Sequence, residues 1–327
     1  MTSYSKYVSE IIQFADETLN DLSENKNPKN LYSPINYIFS KKGKQIRPVL
    51  TLLSNFMFGG NMNDLKEVIK SIEELHNFTL IHDDVMDNAQ LRRGIPTINT
   101  KWSKNQAILS GDVLLIRSYK QLLKSNVINK HIINQFTDTA IQICEGQQLD
   151  LDFQFKLTIK MDDYLNMIEL KTGALIKFCL LVPCTILNIS NKDVKIMEQV
   201  GSSLGQLFQI QDDYLDLYGK ELAVGKKIGG DILEKKKTLL YLFTYSKLES
   251  EKKFEFENIF NSNEVEESEK INSIKSFYET SGALAYLKNK VRVYFNEAEM
   301  LIDKLELDND TKKKLNLFCK TLLNREI

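Results

Sequence analysis

The sequence predicts an all-α protein. Only five prolines and fourteen glycines interrupt its 327 residues, and most of them lie near the ends of long uninterrupted segments. Within those segments apolar residues recur at three- and four-residue spacing, which is the period of a helix with one buried face. No segment alternates apolar and polar residues long enough to predict a sheet, and no repeat of fixed period is evident.

Each segment with helical spacing is taken as one predicted helix. In chain order these are Tyr4–Asp21, Arg47–Phe58, Asn63–Gln90, Asn105–Ser125, Lys130–Asp152, Met161–Leu187, Lys192–Tyr218, Lys235–Ser246, Ser250–Phe260, Val265–Leu305 and Asp308–Asn324.

Proline and glycine explain most of the boundaries. Pro28 and Pro34 precede the second helix, and Gly59-Gly60 follow it. The sixth helix contains Pro183, which is expected to kink it or end it early. The tenth is expected to break near Gly282. No linker rich in glycine, proline or serine divides the chain, so one large helical domain over residues 1–327 is expected.

The composition is that of a globular protein. Apolar residues make up 43% of the chain, which is enough for a sizeable core. The formal charge of -1 gives no electrostatic reason to expect nucleic acid or an anionic membrane surface as a partner. The four cysteines include no Cys-x-x-Cys pair, so they are expected to be buried thiols rather than a disulfide framework.

Neither a secretory signal nor a transmembrane segment is expected. The first residues, Met1–Glu17, contain acidic side chains and lack a continuous apolar core. The longest apolar stretch, Phe178–Leu187, is too short for a bilayer, which needs about 20 residues. A cytoplasmic protein is therefore predicted.

An acidic cluster, Asp83, Asp84 and Asp87, lies inside an apolar run. If Phe78 to Gln90 is a helix, Asp83 and Asp87 lie one turn apart on one face, with Asp84 beside them. Three negative charges near the C-terminal end of a helix are costly without a cation, because that end favours positive charge. The cluster therefore predicts a site for a divalent metal ion.

A second acidic cluster, Asp212, Asp213 and Asp216, repeats this pattern near a helix end marked by Gly219. Two facing walls of carboxylate oxygens suit Mg²⁺, which keeps some waters and also binds substrate phosphate oxygens. An exposed acidic face is the alternative explanation. Because both clusters are embedded in apolar runs, the metal site is favoured.

Basic residues recur around the two clusters, as an anion site requires. Lys44 and Arg47 lie at the start of a helix, where free N–H groups and the helix dipole also favour a phosphate. Lys171, followed by Thr172, interrupts an apolar helix and needs a partner. The remaining basic residues are Arg92 and Arg93 beyond the first cluster and Lys226, Lys227 and Lys236 beyond the second. Each alone is also typical of surface charge.

The histidines fit a ligand site better than a nucleophilic one. His76 lies two helical turns before Asp83 on the same face, so it either reaches a ligand near the metals or is a hydrogen-bonded core histidine. His82 lies off that face and His131 begins a helix. No histidine pairs with serine or cysteine at nucleophile spacing, and no P-loop is present. Hydrolase and nucleotide-kinase functions therefore lack their minimum parts.

Together these motifs resemble those of the trans-polyprenyl diphosphate synthases, which include farnesyl, geranylgeranyl and longer-chain synthases of the isoprenoid synthase fold. The resemblance covers nearly the whole chain. It is carried by Gly43–Pro48, Leu80–Asp87, Arg92–Gly94, Pro96–Thr97, Gly111–Asp112, Gly146–Gln147, Lys171–Gly173, Gln209–Asp216, Gly229–Asp231 and Lys236. It implies a polyprenyl synthetase domain: a bundle of roughly antiparallel helices around a deep central cavity, with the acidic clusters facing each other at its mouth.

The resemblance also implies roles for the site residues. Direct Mg²⁺ ligands would be Asp83, Asp87 and Asp212, with three ions expected when substrate is bound. Supporting or water-mediated ligands would be Asp84, Asp213, Asp216 and Asp231. The allylic diphosphate would be held by Arg92, Lys171, Thr172, Gln209, Lys236 and one of Lys226 and Lys227, between which the sequence does not choose. Isopentenyl diphosphate would be held by Lys44, Arg47, His76 and Arg93.

The chemistry implied by the family accounts for these residue types. Mg²⁺ and the basic side chains stabilise the departing diphosphate as the allylic C–O bond ionises. The isopentenyl double bond attacks the resulting cation, and the released diphosphate removes the proton, so no protein base is required. An apolar cavity keeps water from the cation.

Product length depends on the floor of the cavity. In the family the residues four and five before the first aspartate help to set that floor, and here they are Thr79 and Phe78. Phe78 is bulky enough to block growth about one turn below the metals, and no two-residue insertion lengthens the first motif. Geranylgeranyl diphosphate is the expected product, with farnesyl or a longer diphosphate as the alternative. Phe78 is otherwise an ordinary core aromatic above a deeper floor.

Two further functions remain to be distinguished. A terpene cyclase shares the fold and the first motif, but it normally carries a different second metal site and needs no second diphosphate site. A non-catalytic regulatory subunit usually has eroded aspartates, and these are intact. The resemblance also implies a homodimer.

Overall fold

The computed structural model describes residues 6–156, 158–219 and 228–323. They form α1 (Lys6–Leu19), α2 (Lys29–Ser40), α3 (Ile46–Met57), α4 (Lys66–Met86), α5 (Ile98–Lys101), α6 (Lys104–Leu122), α7 (Lys130–Phe155), α8 (Met161–Ile168), α9 (Ala174–Ile186), α10 (Asn191–Tyr218), α11 (Gly230–Leu233), α12 (Leu239–Lys247), α13 (Ser250–Asn261), α14 (Glu267–Thr280), α15 (Ala283–Asp303) and α16 (Asn309–Leu323). Short 3₁₀ turns cover Asn20–Leu22 and Met62–Leu65. The all-α prediction is confirmed.

Polar side chains begin several of the long helices. Ser103, Asn129 and Ser190 precede α6, α7 and α10, and each side-chain oxygen accepts a hydrogen bond from a backbone N–H of the first turn. Such caps satisfy donors that the helix itself leaves unpaired. The predicted break near Gly282 is also confirmed, since α14 ends at Thr280 and Gly282 has a φ of 80°.

Helix α2 was not predicted. Pro28 precedes it and Pro34 lies inside it, and both prolines indicated a break. Pro34 lacks the N–H that would bond to the preceding turn, but Pro34, Ile35 and Ile38 form a buried apolar stripe. Burial of that stripe offsets the lost hydrogen bond. Similarly, α9 continues through Pro183 and ends three residues later, at Ile186.

Two predicted boundaries were wrong in ways that matter for the site. The predicted helix Asn63–Gln90 ends at Met86, after which Asn88, with a φ of 50°, turns the chain into a hairpin of β1 (Leu91–Arg92) and β2 (Ile95–Pro96). The predicted helix Met161–Leu187 is divided by a π-helical segment, Glu169–Gly173. We call this the π segment. Such segments occur often at functional sites.

The helices pack around a deep cavity, as expected. Helix α4 packs along α6, and α9 packs against both α3 and α10. Helix α10 also packs on α15. Three of the four cysteines are buried as predicted, but Cys144 is exposed, because its position on α7 faces the cavity. In the part of the chain that the structure describes, no helix is both long and apolar enough to span a bilayer.

Candidate active site

The cavity has a volume of about 1410 Å³ and gathers most of the predicted site residues. Those that line it are Lys44, Arg47, His76, Phe78, Thr79, Asp83, Asp87, Arg92, Arg93, Lys171, Thr172, Gln209, Asp212, Asp213, Asp216, Asp231 and Lys236. They come from α3, α4, α10, the hairpin, the π segment and the chain around α11. Lys226 and Lys227 lie outside the described residues.

Each carboxylate of the first cluster that lines the cavity has a lysine partner. Lys171 Nζ lies 3.3 Å from Asp83 Oδ1, and Lys236 Nζ lies 2.9 Å from Asp87 Oδ2. Burial alone lowers the pKa of a lysine, but here the surrounding carboxylates outweigh it and raise the pKa of Lys171 and Lys236. Both side chains are therefore permanent cations at the cavity wall.

Asp150 was missed by the sequence reasoning. It lies on α7, is buried, and its Oδ2 is 2.7 Å from Lys171 Nζ. Lys171 therefore bridges two helices, α4 and α7, through two carboxylates. An acidic residue between Leu149 and Leu151, one turn beyond Gly146, was a signal that could have found it, because a buried carboxylate needs a cation.

Asp84 does not line the cavity. It is 3% exposed and accepts a hydrogen bond of 2.7 Å from Arg92 Nε. Burial opposes the charged form of Arg92, but Asp84 and Asp83 outweigh it and raise the pKa of the guanidinium. In this arrangement Asp84 holds Arg92, which comes from the hairpin, against the C-terminal end of α4.

The π segment fits between two glycines. A Cβ on Gly146 of α7 would clash with the backbone of Lys171, and one on Gly205 of α10 would lie 2.5 Å from Gly173 Cα. The absence of both side chains lets the widened turn pass between the two helices. This close approach brings Lys171 and Thr172 to the cavity, and it explains the glycine of the Gly146-Gln147 motif.

The second cluster is fixed by its neighbours on three elements. Asp216 Oδ2 accepts a 3.0 Å hydrogen bond from the N–H of Asp231, at the start of α11. Asp213 is 5% exposed and accepts hydrogen bonds from Tyr164 of α8 and from Gln209. Burial, then the neighbouring Asp231, raises the pKa of Asp213 well above its ordinary value. Asp212 is exposed to the cavity.

The basic wall lies across α3 and the hairpin. Arg47 Nη1 donates to His76 Nε2 at 3.1 Å. Burial, followed by the charges of Arg47 and Arg93, lowers the pKa of His76 well below its ordinary value, so this histidine is neutral. Arg93 Nη1 donates to the carbonyl of Lys41 at 3.0 Å. A Cβ on Gly43 would lie 2.6 Å from Arg93 Nη2, so a larger residue there would push the guanidinium of Arg93 aside.

The donor chemistry of the two clusters fits Mg²⁺. Asp83, Asp87, Asp212 and Asp216 offer hard oxygen ligands to one cavity. Among residues 6–156, 158–219 and 228–323, no group of three or more acidic, histidine or cysteine side chains is arranged to hold a metal ion. Mg²⁺ is usually held by one or two carboxylates, completed by waters and substrate phosphates, and the carboxylate oxygens that line the cavity are ligands of this kind.

The cavity combines acidic and basic walls with apolar lining, and known proteins share both the sequence and the fold. The family model for polyprenyl synthetase matches residues 28–278. The chain is 36% identical to a geranylgeranyl diphosphate synthase of Sulfolobus acidocaldarius over 75% of each chain. It is 32% identical to a geranylfarnesyl diphosphate synthase of Aeropyrum pernix over 91% of this chain and 95% of the relative.

The crystal structure of a geranylgeranyl pyrophosphate synthase superposes with a TM-score of 0.90 at 35% identity, over 98% of this chain and 99% of that one. A family match that covers most of the chain and a superposition over nearly all of it agree with the architecture described above. The chain belongs to the polyprenyl synthetase family.

Proposed function

We propose that this protein is a short-chain trans-prenyltransferase that condenses isopentenyl diphosphate with dimethylallyl, geranyl or farnesyl diphosphate and releases diphosphate. The observation that carries this proposal is that two acidic clusters and basic residues from several other elements line one cavity with apolar walls. An ordinary acidic surface would not gather lysines and arginines around the same space.

The allylic diphosphate is assigned to the acidic end of the cavity. Lys171, Lys236 and Arg92 supply positive charge there, while Asp83, Asp87 and Asp212 would hold Mg²⁺. When bound, the ions supply electrostatic stabilisation of the departing diphosphate. The lysines are already paired with Asp83 and Asp87, so their orientation is fixed before substrate arrives. Charges that are already oriented in this way stabilise the charge that develops in the transition state without first having to reorient.

Isopentenyl diphosphate is assigned to the wall of Lys44, Arg47, His76 and Arg93. His76 on this wall is neutral, so binding would use the direct charge of Lys44, Arg47 and Arg93 together with hydrogen bonds. The apolar side chains of Ile143, Leu175 and Phe208 also line the cavity and would exclude water from an allylic cation.

The finer assignments extend the same proposal. We infer three Mg²⁺ ions with substrate bound, and one domain over residues 1–327. A homodimer is supported by the exposed apolar side chains of Leu109 and Ile116, which lie seven residues apart on one face of α6, since exposed apolar surface is typical of protein interfaces. A cytoplasmic location stays a prediction from the sequence.

The purified 327-residue chain is expected to elongate an allylic diphosphate when given Mg²⁺ and isopentenyl diphosphate. Products would be dephosphorylated and separated by chromatography for each of the three primers, with and without EDTA. An all-trans product whose formation stops with EDTA supports the proposal. No elongation with any primer, or equal activity in EDTA, would contradict it. A cyclic hydrocarbon would indicate a terpene cyclase.

Geranylgeranyl diphosphate is the proposed main product, and Phe78→Ala is expected to shift products to longer chains. Phe78 is 7% exposed, lines the cavity about one turn below Asp83, and has its ring 4.7 Å from that of His82. Thr79 lines the cavity beside it, with its hydroxyl bonded to the carbonyl of His76. Removal of the ring would extend the space available to the growing chain.

Product length in the Phe78→Ala variant is measured with farnesyl diphosphate as primer. Phe178→Ala is the matched control, because Phe178 is 3% exposed but is not among the residues that line the cavity. The control should lose stability, by roughly 3–5 kcal/mol for a buried phenylalanine, without lengthening the product. An unchanged product distribution in Phe78→Ala would place the floor deeper in the cavity.

A further inference from the structure

A chain of three hydrogen bonds leads from the interior of the protein to the cavity. Tyr164 on α8 donates its hydroxyl to Asp213 Oδ2. Gln209 Nε2 donates to Asp213 Oδ1 at 3.1 Å, and Thr172 Oγ1 donates to Gln209 Oε1 at 2.7 Å. The chain thus joins α8, α10 and the π segment.

The two ends of this chain have different environments. Tyr164 is 2% exposed and is not among the residues that line the cavity. Thr172 and Gln209 do line it. Tyr164 is therefore connected to the cavity by its hydrogen bond to Asp213, whereas the residues at the other end face the space assigned to the allylic diphosphate.

The direction of each bond is set by the atoms involved. An amide nitrogen only donates, so the bond from Gln209 Nε2 to Asp213 fixes which way the amide of Gln209 points. Its Oε1 then faces Thr172 and only accepts, so the Thr172 hydroxyl must donate to it. As long as Asp213 is held in place, the amide of Gln209 and the hydroxyl of Thr172 each have one orientation.

We propose that Tyr164 is a positioning residue for the allylic diphosphate site, acting through Asp213 on Gln209 and Thr172. This inference rests on the proposed function. Asp213, with an oxygen engaged by Tyr164 and the other by Gln209, serves here as the anchor of the hydrogen-bond chain. Without the Tyr164 hydroxyl, the Asp213 side chain accepts one hydrogen bond fewer and is held less firmly. The side chain of Gln209, which donates to Asp213, can then adopt a second rotamer.

Tyr164→Phe tests the proposal, because it keeps the ring and removes only the hydroxyl. The expected result is a rise of about tenfold in KM for the allylic diphosphate, with KM for isopentenyl diphosphate changed less than about twofold, since the allylic diphosphate would lose about one hydrogen bond from Gln209 or Thr172. A purely structural role would change both constants together or neither.

Tyr286→Phe is the matched control, because the Tyr286 hydroxyl donates to the sulfur of Met161, at the start of the same helix α8. It should leave both KM values within about twofold of the wild type. Asp213→Asn tests the same link from its other end, should Tyr164→Phe not be soluble. In the double variant the two effects should not add, as for residues that act through one contact.

The outcomes separate the two proposals. A wild-type chain that elongates no allylic diphosphate contradicts the proposed function. An active wild type with an unchanged allylic KM in soluble Tyr164→Phe overturns this inference alone. Equal changes in both KM values would also overturn it, since they would indicate a general loss of packing.

Discussion

Alanine at Asp83, and separately at Asp212, is expected to lower turnover by at least about a hundredfold while the helical fold stays intact. Each residue is a direct Mg²⁺ ligand in the proposal, and each lies on a different wall of the cavity. Loss of either wall removes stabilisation that is needed only as charge develops on the departing diphosphate. The measurement is single-turnover elongation at saturating Mg²⁺.

The fold should tolerate the loss of Asp83 for a specific reason. Lys171 keeps Asp150 as a partner at 2.7 Å when the contact to Asp83 is removed. No buried cation is therefore left alone, which would otherwise be strongly destabilising. Circular dichroism and thermal unfolding of the variants should resemble those of the wild type.

Asp138→Ala is the matched control for the two aspartates. Asp138 is an exposed acidic residue on α7, away from the cavity lining. It should keep turnover within about twofold of the wild type, because surface substitutions of this kind have small effects. Near-wild-type rates in Asp83→Ala or Asp212→Ala would contradict the model of two facing acidic walls.

The sequence predicted best the site residues that are charged but lie within apolar segments. Aspartates embedded in apolar runs and a lysine within an apolar helix are costly unless they meet opposite charge, so Asp83, Asp87, Asp212 and Lys171 could be named from the chain alone. The helices on which they lie followed from the spacing of apolar residues. Both kinds of signal are local.

The residues that the sequence missed act through long-range contacts. Tyr164 and Asp150 lie on α8 and α7, and their partners, Asp213 and Lys171, lie on other elements. Nothing in the sequence next to Tyr164 distinguishes it from a core tyrosine. The π segment was missed for a related reason, since it packs against two glycines, Gly146 and Gly205, that lie far from it in the sequence. In α2, Pro34 wrongly indicated a break in the helix, because burial of Ile35 and Ile38 offsets the hydrogen bond that proline cannot make.

The glycines beside the π segment provide the second large expected effect. Gly205→Ala would place a Cβ 2.5 Å from Gly173 Cα, and a backbone atom cannot rotate away as a side chain does. Ordinary contact requires a shift of about 1 Å in the π segment, and a misplacement of that size can cost about a hundredfold in rate. We therefore expect kcat/KM for the allylic substrate to fall about a hundredfold.

Stability should change far less than the rate. Alanine in a helix gains about 1 kcal/mol over glycine, whereas forced overpacking costs about 1–3 kcal/mol. The net loss is then about 2 kcal/mol at most. Thermal unfolding and circular dichroism should therefore report a folded protein, so that loss of activity cannot be attributed to unfolding.

Gly201→Ala is the control that distinguishes displacement of the π segment from general strain in the packing against α10. Gly201 lies one turn before Gly205 on α10, and its added Cβ would meet Lys177 Cα of α9 at 2.9 Å. Both variants place a Cβ against the backbone that packs on α10, but Gly201→Ala meets α9 and only Gly205→Ala meets the π segment next to Thr172. If both variants lose activity equally, strain between the helices is responsible. A large loss in Gly205→Ala alone means that the glycine keeps Lys171 and Thr172 in register with the acidic clusters.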